Sequence, residues 1–359
     1  MKSSLDTLRE EMRKKDREII HLLNERSQIS VKIGQVKEKE AMDVYHPAQE
    51  ARVYAYLEEL NEGPLPQKAV KAIFREIISA SRDLQKPMTI AYLGPESTFS
   101  HLASLQHFGE SSHYLPLDSI SRVFDEVEKN AVEWGVVPVE NSLEGSVNIT
   151  LDRLVLTPLR IRAEIYLRIR QCLMASVSNL KSIKSVYSHP QPLVQCQAWL
   201  RANLPNARLV EMESTTAAAK KIKDSKNAAA IGSALAAANY GLNLLAESIE
   251  DNPSNTTRFL VIGRGEGEAT GDDKTSIIFA TPDYPGALHR ALSSFSKRKI
   301  NLAKILSHPV KERKWEYLFF VDMIGHVQDR EIRECLEELK NKTIYLKILG
   351  SYARAKDGQ

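Results

Sequence analysis

Asn255-Thr256-Thr257-Arg258-Phe259 sets amide, hydroxyl and guanidinium groups against an apolar run that continues to Ile262. A second polar stretch, Tyr187-Ser188-His189-Pro190-Gln191-Pro192, follows the strand-like residues 183–187. Short apolar runs bounded by polar and turn-forming residues are typical of buried strands. The two stretches therefore predict an α/β region whose hydroxyls and amides gather over one small polar ligand.

The composition is that of an ordinary globular protein. The chain has 359 residues, of which 43% are hydrophobic and 26% charged, enough for two or three domains with their own cores. Its 49 basic residues against 46 acidic ones give a net charge of +3. Because so small a net charge gives no argument for a nucleic-acid partner, we expect a protein that acts on small molecules.

Targeting and metal signals are weak. The first twenty residues alternate charges without the apolar core of a signal peptide, and no run of eighteen apolar residues could span a membrane. Cys172, Cys196 and Cys335 are scattered, with no CxxC pair or suitably spaced histidine. The sequence thus predicts a cytoplasmic, reduced protein without metal or cofactor, and without nucleic acid or membrane as partners.

The N-terminal region has a helical pattern. Residues 4–39 contain no proline and repeat apolar residues near helical spacing, which predicts one helix roughly 50 Å long. Two shorter helices are predicted over residues 47–61 and 66–84. Because a long helix with two short ones has little core of its own, this all-α domain, residues 1–86, is predicted to dimerise.

Short apolar runs alternate with helical stretches after Lys86-Pro87, which indicates a mixed or parallel sheet. The next domain is predicted over residues 88–264, with strands at 89–93, 134–139, 161–168, 183–187, 228–231 and 259–262. A glycine-rich connector at residues 265–272, expected to be flexible, precedes a domain at 273–359. There the order is strand 275–281, helix 286–299, strands 301–308 and 315–324, helix 329–341 and strand 344–349. This βαββαβ order predicts an α+β ferredoxin-like fold.

Several polar residues of the helical domain could form a site: Arg9, Arg26, Lys37, Ser81 and Gln85. Each alone fits a solvated helix face equally well or better. Arg26 and Lys37, however, differ by only about 20° around the helix and lie about 16 Å apart along it, so they can converge on one ligand. Arg9 lies about 25 Å from Arg26 and about 100° round the helix. If Arg9 takes part, it must come from a second subunit.

The helical region resembles the all-helical chorismate mutases, which are intertwined dimers. The resemblance lies in Leu8-Arg9-Glu10, Asp16-Arg17, Glu25-Arg26, Gly34-Gln35-Val36-Lys37 and the segment from Ile78 to Gln85. It implies that Arg9 and Arg26 bind the carboxylates of chorismate and that Lys37 and Gln85 hydrogen-bond its ether oxygen. It further implies that Glu50 and Ser81 contact the hydroxyl side, near His46. The rearrangement needs a compressed substrate and fixed donors rather than a nucleophile.

One position departs from that family. Pro47-Ala48-Gln49-Glu50 stands where the family usually reads Pro-Glu-Arg-Glu, so Gln49 lacks the charge and the bidentate fork of arginine. We expect Gln49 to bind substrate through its amide and the mutase to bind chorismate more weakly.

Residues 89–263 resemble prephenate dehydratases, whose two-lobed fold is similar to that of periplasmic binding proteins. The motifs are Tyr92-Leu93-Gly94-Pro95-Glu96-Ser97-Thr98-Phe99-Ser100, Val136-Val137-Pro138-Val139-Glu140-Asn141-Ser142, Gly145-Ser146-Val147-Asn148, Ser188-His189-Pro190-Gln191-Pro192, Gln195-Cys196, Glu213-Ser214-Thr215 and Thr257-Arg258-Phe259. Hydroxyls and amides here could simply cap helices, which is compatible with binding carboxylates at helix N-termini.

The resemblance implies that Thr257 donates to the leaving hydroxyl of prephenate, with Asn141, Ser188 and Gln195 positioning the substrate. Two residues keep alternatives open. Arg258 could supply a cation to the substrate or form a structural salt bridge. His189 could act as a general acid or shape the turn before Pro190.

The last domain resembles ACT domains, which bind amino acids at dimer interfaces. Gly286-Ala287-Leu288 and Asn301-Leu302 match the family's phenylalanine-binding residues, and Ser307 is the matching serine of the second motif. That motif usually reads Glu-Ser-Arg-Pro, whereas this chain has Leu306-Ser307-His308-Pro309. We predict weak or absent inhibition by phenylalanine, because leucine cannot accept a hydrogen bond and histidine differs from arginine in charge and reach.

Taken over the whole chain, the resemblances imply a bifunctional enzyme of phenylalanine biosynthesis, with chorismate and prephenate as substrates and a homodimer or larger homo-oligomer. A prephenate dehydrogenase would need a dinucleotide fingerprint, yet the glycine-rich segment beginning at Gly263 precedes a strand. A non-catalytic amino-acid sensor built on the same domains is the remaining alternative.

Overall fold

The structure is a computed structural model that describes residues 4–40, 42–309 and 317–355. The chain divides into two compact units: residues up to 89 with 107–113, and residues 90–106 with those from 114 onward. None of the described helices combines the length and the apolar character that crossing a membrane needs.

The first unit is built on three helices, as the sequence predicts: α1 (Ser4–Lys39), α2 (Pro47–Leu60) and α3 (Gln67–Gln85). The side chain of His46 caps α2 by accepting from the main-chain N–H of Gln49, and Pro47 occupies its first turn. α1 and α3 pack closely at Gly34, where an added Cβ would lie 2.9 Å from Cβ of Gln85. Residues 107–113 pack against this unit, with Arg82 donating to the carbonyl of Phe108.

The second unit begins with a mixed sheet, which we call the first lobe. Its strand order is β2-β1-β3-β11-β5, with a short β4 paired to β3. β1 and β3 are parallel, whereas β11 runs antiparallel to both β3 and β5. The strands are β1 (Thr89–Leu93), β2 (His113–Leu117), β3 (Trp134–Asn141), β4 (Gly145–Ser146), β5 (Arg160–Arg168) and β11 (Thr256–Gly263).

A second sheet, of order β10-β6-β9-β7-β8, forms the second lobe. The chain enters this lobe after β5 and returns to the first lobe at β11, so the two lobes are joined by two chain crossings. Its strands are β6 (Cys172–Ala175), β7 (Ser185–Ser188), β8 (Arg208–Glu211), β9 (Ala228–Gly232) and β10 (Asn243–Ala246). This two-lobed architecture confirms the predicted fold class.

Seven helices accompany the two lobes. Ser119, Ser214 and Ser233 cap three of them through their hydroxyls. The helices are α4 (Phe99–Phe108), α5 (Ile120–Glu128), α6 (Asn148–Leu156), α7 (Pro190–Gln195), α8 (Gln197–Asn203), α9 (Thr215–Ile222) and α10 (Ala234–Tyr240).

The C-terminal part has the predicted βαββαβ order and an antiparallel sheet, β13-β14-β12-β15. Its elements are β12 (Asp273–Ala280), α11 (Ala287–Ser296), β13 (Leu302–Pro309), β14 (Tyr317–Ile324), α12 (Arg330–Lys340) and β15 (Tyr345–Ala353). One face of this third sheet packs on the two helices. The other face joins the core of the first lobe, where Ile278, Phe320 and Tyr352 meet Leu151 and Ile161.

The connector before β12 makes hydrogen bonds with side chains on either side of it. The carbonyl of Arg264 accepts a hydrogen bond from Arg162, and the carbonyl of Gly267 lies 3.2 Å from Nε2 of His326. Thr270 donates through both its main-chain N–H and its hydroxyl to Asp273. Side chains on either side hold this segment in the structure, and its flexibility stays a prediction. The exact domain boundaries stay a prediction.

Candidate active sites

Asn141 and Thr257 form the centre of the site in the second unit. They are directly opposite each other on β3 and β11, and Nδ2 of Asn141 donates to Oγ1 of Thr257 over 2.9 Å and to Oδ1 of Asn255 over 2.8 Å. Oδ1 of the Asn141 side chain in turn accepts from the main-chain N–H groups of Leu143 and Glu144. These bonds fix the asparagine side chain in one orientation.

Gln195 reaches this group from the second lobe. Its Oε1 accepts from Nδ2 of Asn255 and from Nε2 of Gln171, each over 3.3 Å. Its Nε2 donates to Oε1 of Glu144 over 3.1 Å, and Gln191 donates to the same carboxylate. The structure thus brings Asn141, Gln195 and Thr257 into one network of amides and hydroxyls that joins the two lobes.

Ser188 lies at the end of β7 and outside this network. It is fully buried, and its hydroxyl donates to the carbonyl of Ile231 over 2.8 Å. The hydroxyl therefore ties β7 to β9 in this structure. A contact with substrate would use only its lone pairs.

The geometry separates the alternatives for Arg258 and His189. Thr257 and Arg258 are neighbours on a strand, so their side chains project to opposite faces of the sheet. Arg258 is buried and bonds to Glu164, Asp322 and Tyr352 at 2.6 to 3.0 Å. Its assignment as a substrate-binding residue is corrected to a structural salt bridge. His189 caps α7 by accepting from the N–H of Gln191, which favours the turn-shaping alternative.

Four residues of the dehydratase network were not expected there from the sequence: Asn255, Glu144, Gln171 and Gln191. Asn255 opens the first polar stretch and Gln191 stands in the second, so their position in the sequence was the available signal. Glu144 lies between the motif that ends at Ser142 and the one that begins at Gly145. Gln171 lies where the chain enters the second lobe, outside every motif.

In the first unit, Lys37 and Glu50 stand at one candidate site. Nζ of Lys37 donates to the carbonyl of Val44 over 2.8 Å, and burial lowers the pKa of this lysine, an effect that Glu50 and Asp43 oppose. Burial raises the pKa of Glu50, although Arg82 pairs with its carboxylate at 2.9 Å. Arg82, a residue the sequence reading missed, thereby anchors Glu50 from α3.

Arg26, Ser81 and Gln85 lie together between α1 and α3. Nη1 of Arg26 donates to Oγ of Ser81 over 2.5 Å, and Nε2 of Gln85 donates to Oγ of Ser30 over 2.8 Å. Ser30 also donates to the carbonyl of Ser81. Burial lowers the pKa of Arg26. A half-buried cation with polar neighbours is suited to binding an anionic ligand.

The remaining mutase candidates occupy more open positions. Gln49 accepts a long hydrogen bond from Arg52 at 3.4 Å, and His46 serves as the cap of α2. Arg9 is largely exposed and lies 3.5 Å from Asp6, far along the uninterrupted α1. The single chain therefore does not bring Arg9 to Arg26, as the helix geometry predicts.

The effector candidates lie at two places in the third sheet and its first helix. Gly286 precedes α11 as its N-cap, with a φ of 84°, which favours glycine. Ala287 is buried, and Leu288 packs against the core beneath. Asn301 precedes β13, and its carbonyl accepts from the N–H of Ile324. Ser307 is exposed on β13.

The structure corrects the roles expected of Leu306 and His308. They were expected to be lost effector contacts, but strand alternation places them on the face opposite Ser307. Leu306 packs against the core of the first lobe, and Nε2 of His308 lies 2.8 Å from Oδ1 of Asp152 on α6. Both side chains contact the dehydratase region instead.

Comparison with known proteins identifies the parts in chain order. A chorismate mutase type II family model matches residues 8–86, a prephenate dehydratase model matches residues 90–267, and an ACT domain model matches residues 275–341. Over 355 residues the chain is 44% identical to the bifunctional chorismate mutase/prephenate dehydratase of Aquifex aeolicus (strain VF5), with 98% of both chains covered. The chain belongs to this bifunctional family.

Two further relatives agree. The bifunctional chorismate mutase/prephenate dehydratase of Stutzerimonas stutzeri is 44% identical over 357 residues, 98% of each chain. A prephenate dehydratase from Arthrobacter aurescens, solved in complex with L-Phe, superposes with a TM-score of 0.69 at 36% identity and covers 74% of this chain and 90% of its own. The family membership confirms the bifunctional reading and gives no support to the amino-acid-sensor alternative.

Proposed function

We propose that the chain performs two consecutive reactions of phenylalanine biosynthesis at two sites: chorismate to prephenate in the helical unit, and prephenate to phenylpyruvate between the two lobes. The observation that carries the second assignment is the Asn141–Thr257 hydrogen bond on paired strands, in a chain that is 44% identical to a bifunctional enzyme over its whole length.

In the dehydratase, Thr257 is the donor to the leaving hydroxyl. Its Oγ1 accepts from Asn141, and among the residues that the structure describes no acceptor is found for its own hydrogen. Accepting one hydrogen bond polarises a hydroxyl toward donating another. As the ring carboxylate leaves as carbon dioxide, its electron pair enters the ring and the hydroxyl departs, taking up one proton to become water. Asn141 and Gln195 orient the substrate.

The mutase role of the helical unit follows from its donors. Chorismate carries two carboxylates, and the reaction develops negative charge on the ether oxygen as the carbon–oxygen bond breaks. Lys37 and Gln85 supply donors to that oxygen, where a fixed donor lowers the barrier most. Arg26 binds one carboxylate, and Glu50 and Ser81 contact the hydroxyl side, with His46 and Gln49 at the rim.

We propose that the mutase sites are completed in a homodimer, with Arg9 supplied by a second copy. Support comes from α1, which exposes a series of apolar side chains that a single chain leaves in water: Leu5, Leu8, Met12, Ile19, Ile20, Leu22, Ile29, Ile33 and Val36. Exposed apolar surface of this extent marks an interaction face. Because α1 also carries Arg9, two copies that pair through α1 could each supply this arginine to the other, as a symmetric contact requires.

The ACT region is proposed to bind phenylalanine through Gly286, Ala287, Leu288, Asn301 and Ser307, as the complex of the Arthrobacter relative with L-Phe suggests. Weakened inhibition stays a prediction. So do the cytoplasmic location and the absence of a cofactor.

A direct assay tests the assignment. The purified full-length protein is supplied with chorismate, and prephenate and phenylpyruvate are measured separately, with and without phenylalanine. Both products are expected in sequence. Formation of prephenate without phenylpyruvate would overturn the dehydratase assignment alone, and failure to consume chorismate would overturn the mutase assignment.

A further inference from the structure

Four charged side chains lie directly behind the Asn141–Thr257 pair, and we name them the charge quartet: Glu140 on β3, Arg258 on β11, Lys304 on β13 and Asp322 on β14. Glu140 and Arg258 are cross-strand partners in the first lobe. Lys304 and Asp322 are cross-strand partners in the third sheet. The two strand pairs thus face each other so that each charged side chain lies opposite one of the other sign.

Two ion pairs join the halves of the quartet. Nη1 of Arg258 donates to Oδ2 of Asp322 over 2.6 Å, and Nζ of Lys304 donates to Oε2 of Glu140. Each first-lobe member is the chain neighbour of a proposed site residue. Because side chains alternate along a strand, one layer of β3 and β11 faces the substrate and the next layer faces the ACT sheet. A shift of either strand would change the hydrogen bond between Asn141 and Thr257.

The two ion pairs differ in their surroundings. The Arg258 and Asp322 side chains are 6% and 10% exposed, and Glu164, Tyr352 and Ser276 complete their hydrogen bonds. The Lys304 and Glu140 side chains are 23% and 34% exposed. The Arg258–Asp322 pair is a fixed part of the core. The Lys304–Glu140 pair can break and re-form, because water reaches both charges when they separate.

Lys304 also lies on the strand that bears the proposed effector residues. Asn301 directly precedes β13, and Ser307 lies three residues beyond Lys304 on it. A displacement of β13 therefore reaches Glu140 through one side-chain contact.

We propose that Lys304 and Glu140 are positioning residues of the dehydratase, whose ion pair transmits the placement of β13 to Asn141. The inference rests on the proposed roles of Asn141 and Thr257. It requires neither residue to touch the substrate.

The experiment compares Lys304→Gln, Glu140→Gln and the double variant in the full-length protein. The control is Arg298→Gln, which removes an ion pair of similar exposure to Glu338 inside the ACT region. Dehydratase kcat and KM, mutase activity and thermal unfolding are measured. Each single variant is expected to lower dehydratase kcat about ten-fold, within the range of typical site-to-site coupling. The KM for prephenate, the mutase and the melting temperature are expected to stay unchanged.

Non-additivity is the decisive result. The double variant should be no worse than either single one, because both remove the same contact, and Lys304→Arg should keep most of the activity. An unchanged kcat in Lys304→Gln, or additive losses in the double variant, would overturn the proposal. Thr257→Val is assayed alongside, and full activity in this variant would show that the site itself is wrongly assigned. If Thr257→Val loses activity while Lys304→Gln stays fully active, only the link from Lys304 through Glu140 to Asn141 is refuted.

Discussion

At the scale of single residues, the groups proposed to meet the substrate in the dehydratase site are uncharged, and Glu144 is the carboxylate that holds Gln195 beside them. Asn141, Gln195, Asn255 and Thr257 hold one another through amide and hydroxyl bonds of 2.8 to 3.3 Å. Fixed donors of this kind cost no reorganisation when charge moves during the reaction. The site can therefore favour loss of water and carbon dioxide through orientation, with Thr257 as the group nearest to an acid.

Thr257→Val keeps the shape of the side chain and removes its hydroxyl. We expect dehydratase kcat to fall by about 100- to 1000-fold, the usual effect of removing one donor to a developing charge, while the mutase is unaffected. Thr257→Ser is the matched control and should retain most activity. Steady-state kinetics with prephenate measures both, and equal rates for the valine variant and the parent would refute the assignment.

The mutase should depend on pH through Lys37. Burial lowers the pKa of this ammonium group, so it loses its proton at a lower pH than an exposed lysine does. Because only the charged form stabilises negative charge on the ether oxygen, mutase kcat/KM is expected to decline on the alkaline side within that shifted range. Lys37→Gln should be slower and lack this decline. A profile that matches between the two proteins would contradict the role of Lys37.

Several site residues could be predicted from the sequence and others could not. Thr257 and Asn141 stand in motifs, so their meeting was expected. Ser188 was expected over the ligand but bonds to Ile231, because the motif does not say which way a hydroxyl turns. The partners of Arg258 are distant in sequence, so its salt bridge could not be chosen over the catalytic alternative.

At the scale of elements, β13 has two faces with different partners. Ser307 is exposed on one, while Leu306 and His308 contact the first lobe on the other. The two positions at which this chain departs from the family's usual motif, 306 and 308, therefore lie on the face that meets the dehydratase region. We expect these two differences to affect coupling between regions rather than effector contacts.

Variants on opposite faces of β13 should separate these effects. His308→Ala removes the contact with Asp152 and is expected to change phenylalanine inhibition while leaving phenylalanine affinity within about two-fold, because coupling and binding are distinct free energies. Ser307→Leu should reduce affinity itself. Calorimetric titration gives the affinity and a dehydratase assay the inhibition. Equal loss of affinity in both variants would show that His308 contacts the effector.

The contact of α1 with α3 depends on Gly34. An added Cβ would lie 2.9 to 3.0 Å from Cβ, Cγ and Cα of Gln85, so backbone must move. Gly34→Ala should destabilise the helical unit by about 1 to 3 kcal/mol and lower mutase kcat/KM by up to about 100-fold through displacement of Gln85. Gly63→Ala, which meets no atom within 4 Å, is the control. Unchanged mutase kinetics in Gly34→Ala would contradict this packing argument.

The strongly patterned elements were predicted well. α1 has the predicted extent of residues 4–39, and β1 that of residues 89–93, because their apolar periodicity is long or sharply bounded. β2, β4, β6, β8 and β10 were missed. β2, β8 and β10 are exposed or half-exposed along much of their length, so they lack the apolar run by which a strand is recognised. β4 is only two residues long, and β6 is fully buried but only four residues long.

At the scale of the whole molecule, we expect the mutase to require two copies of the chain. Co-expression of Arg9→Ala and Lys37→Ala chains tests this: in a mixed dimer one site keeps both residues, so random pairing restores about a quarter of the parent's activity. Each variant alone should be nearly inactive. The mutase rate of the co-expressed protein decides the matter, and a mixture as inactive as its components would exclude a shared site.

The domain order and fold classes could be read from the sequence, because each region has its own periodicity. The close packing of the third sheet on the first lobe could not. The residues that form it, such as Tyr352 and Leu151, are far apart in the chain and look like ordinary core positions of separate domains.

That packing limits how the gene could be shortened. Residues of the third sheet complete the apolar interior above α6 and β5. Lys347 donates to the carbonyls of Leu154 and Val155 at the end of α6 and to that of Thr157 just beyond it. A chain that stopped after Gly263 would expose this apolar interior to water and leave those carbonyls without their hydrogen-bond donor. The regulatory region therefore also covers the core of the catalytic region, and its deletion would destabilise the enzyme as well as remove its regulation.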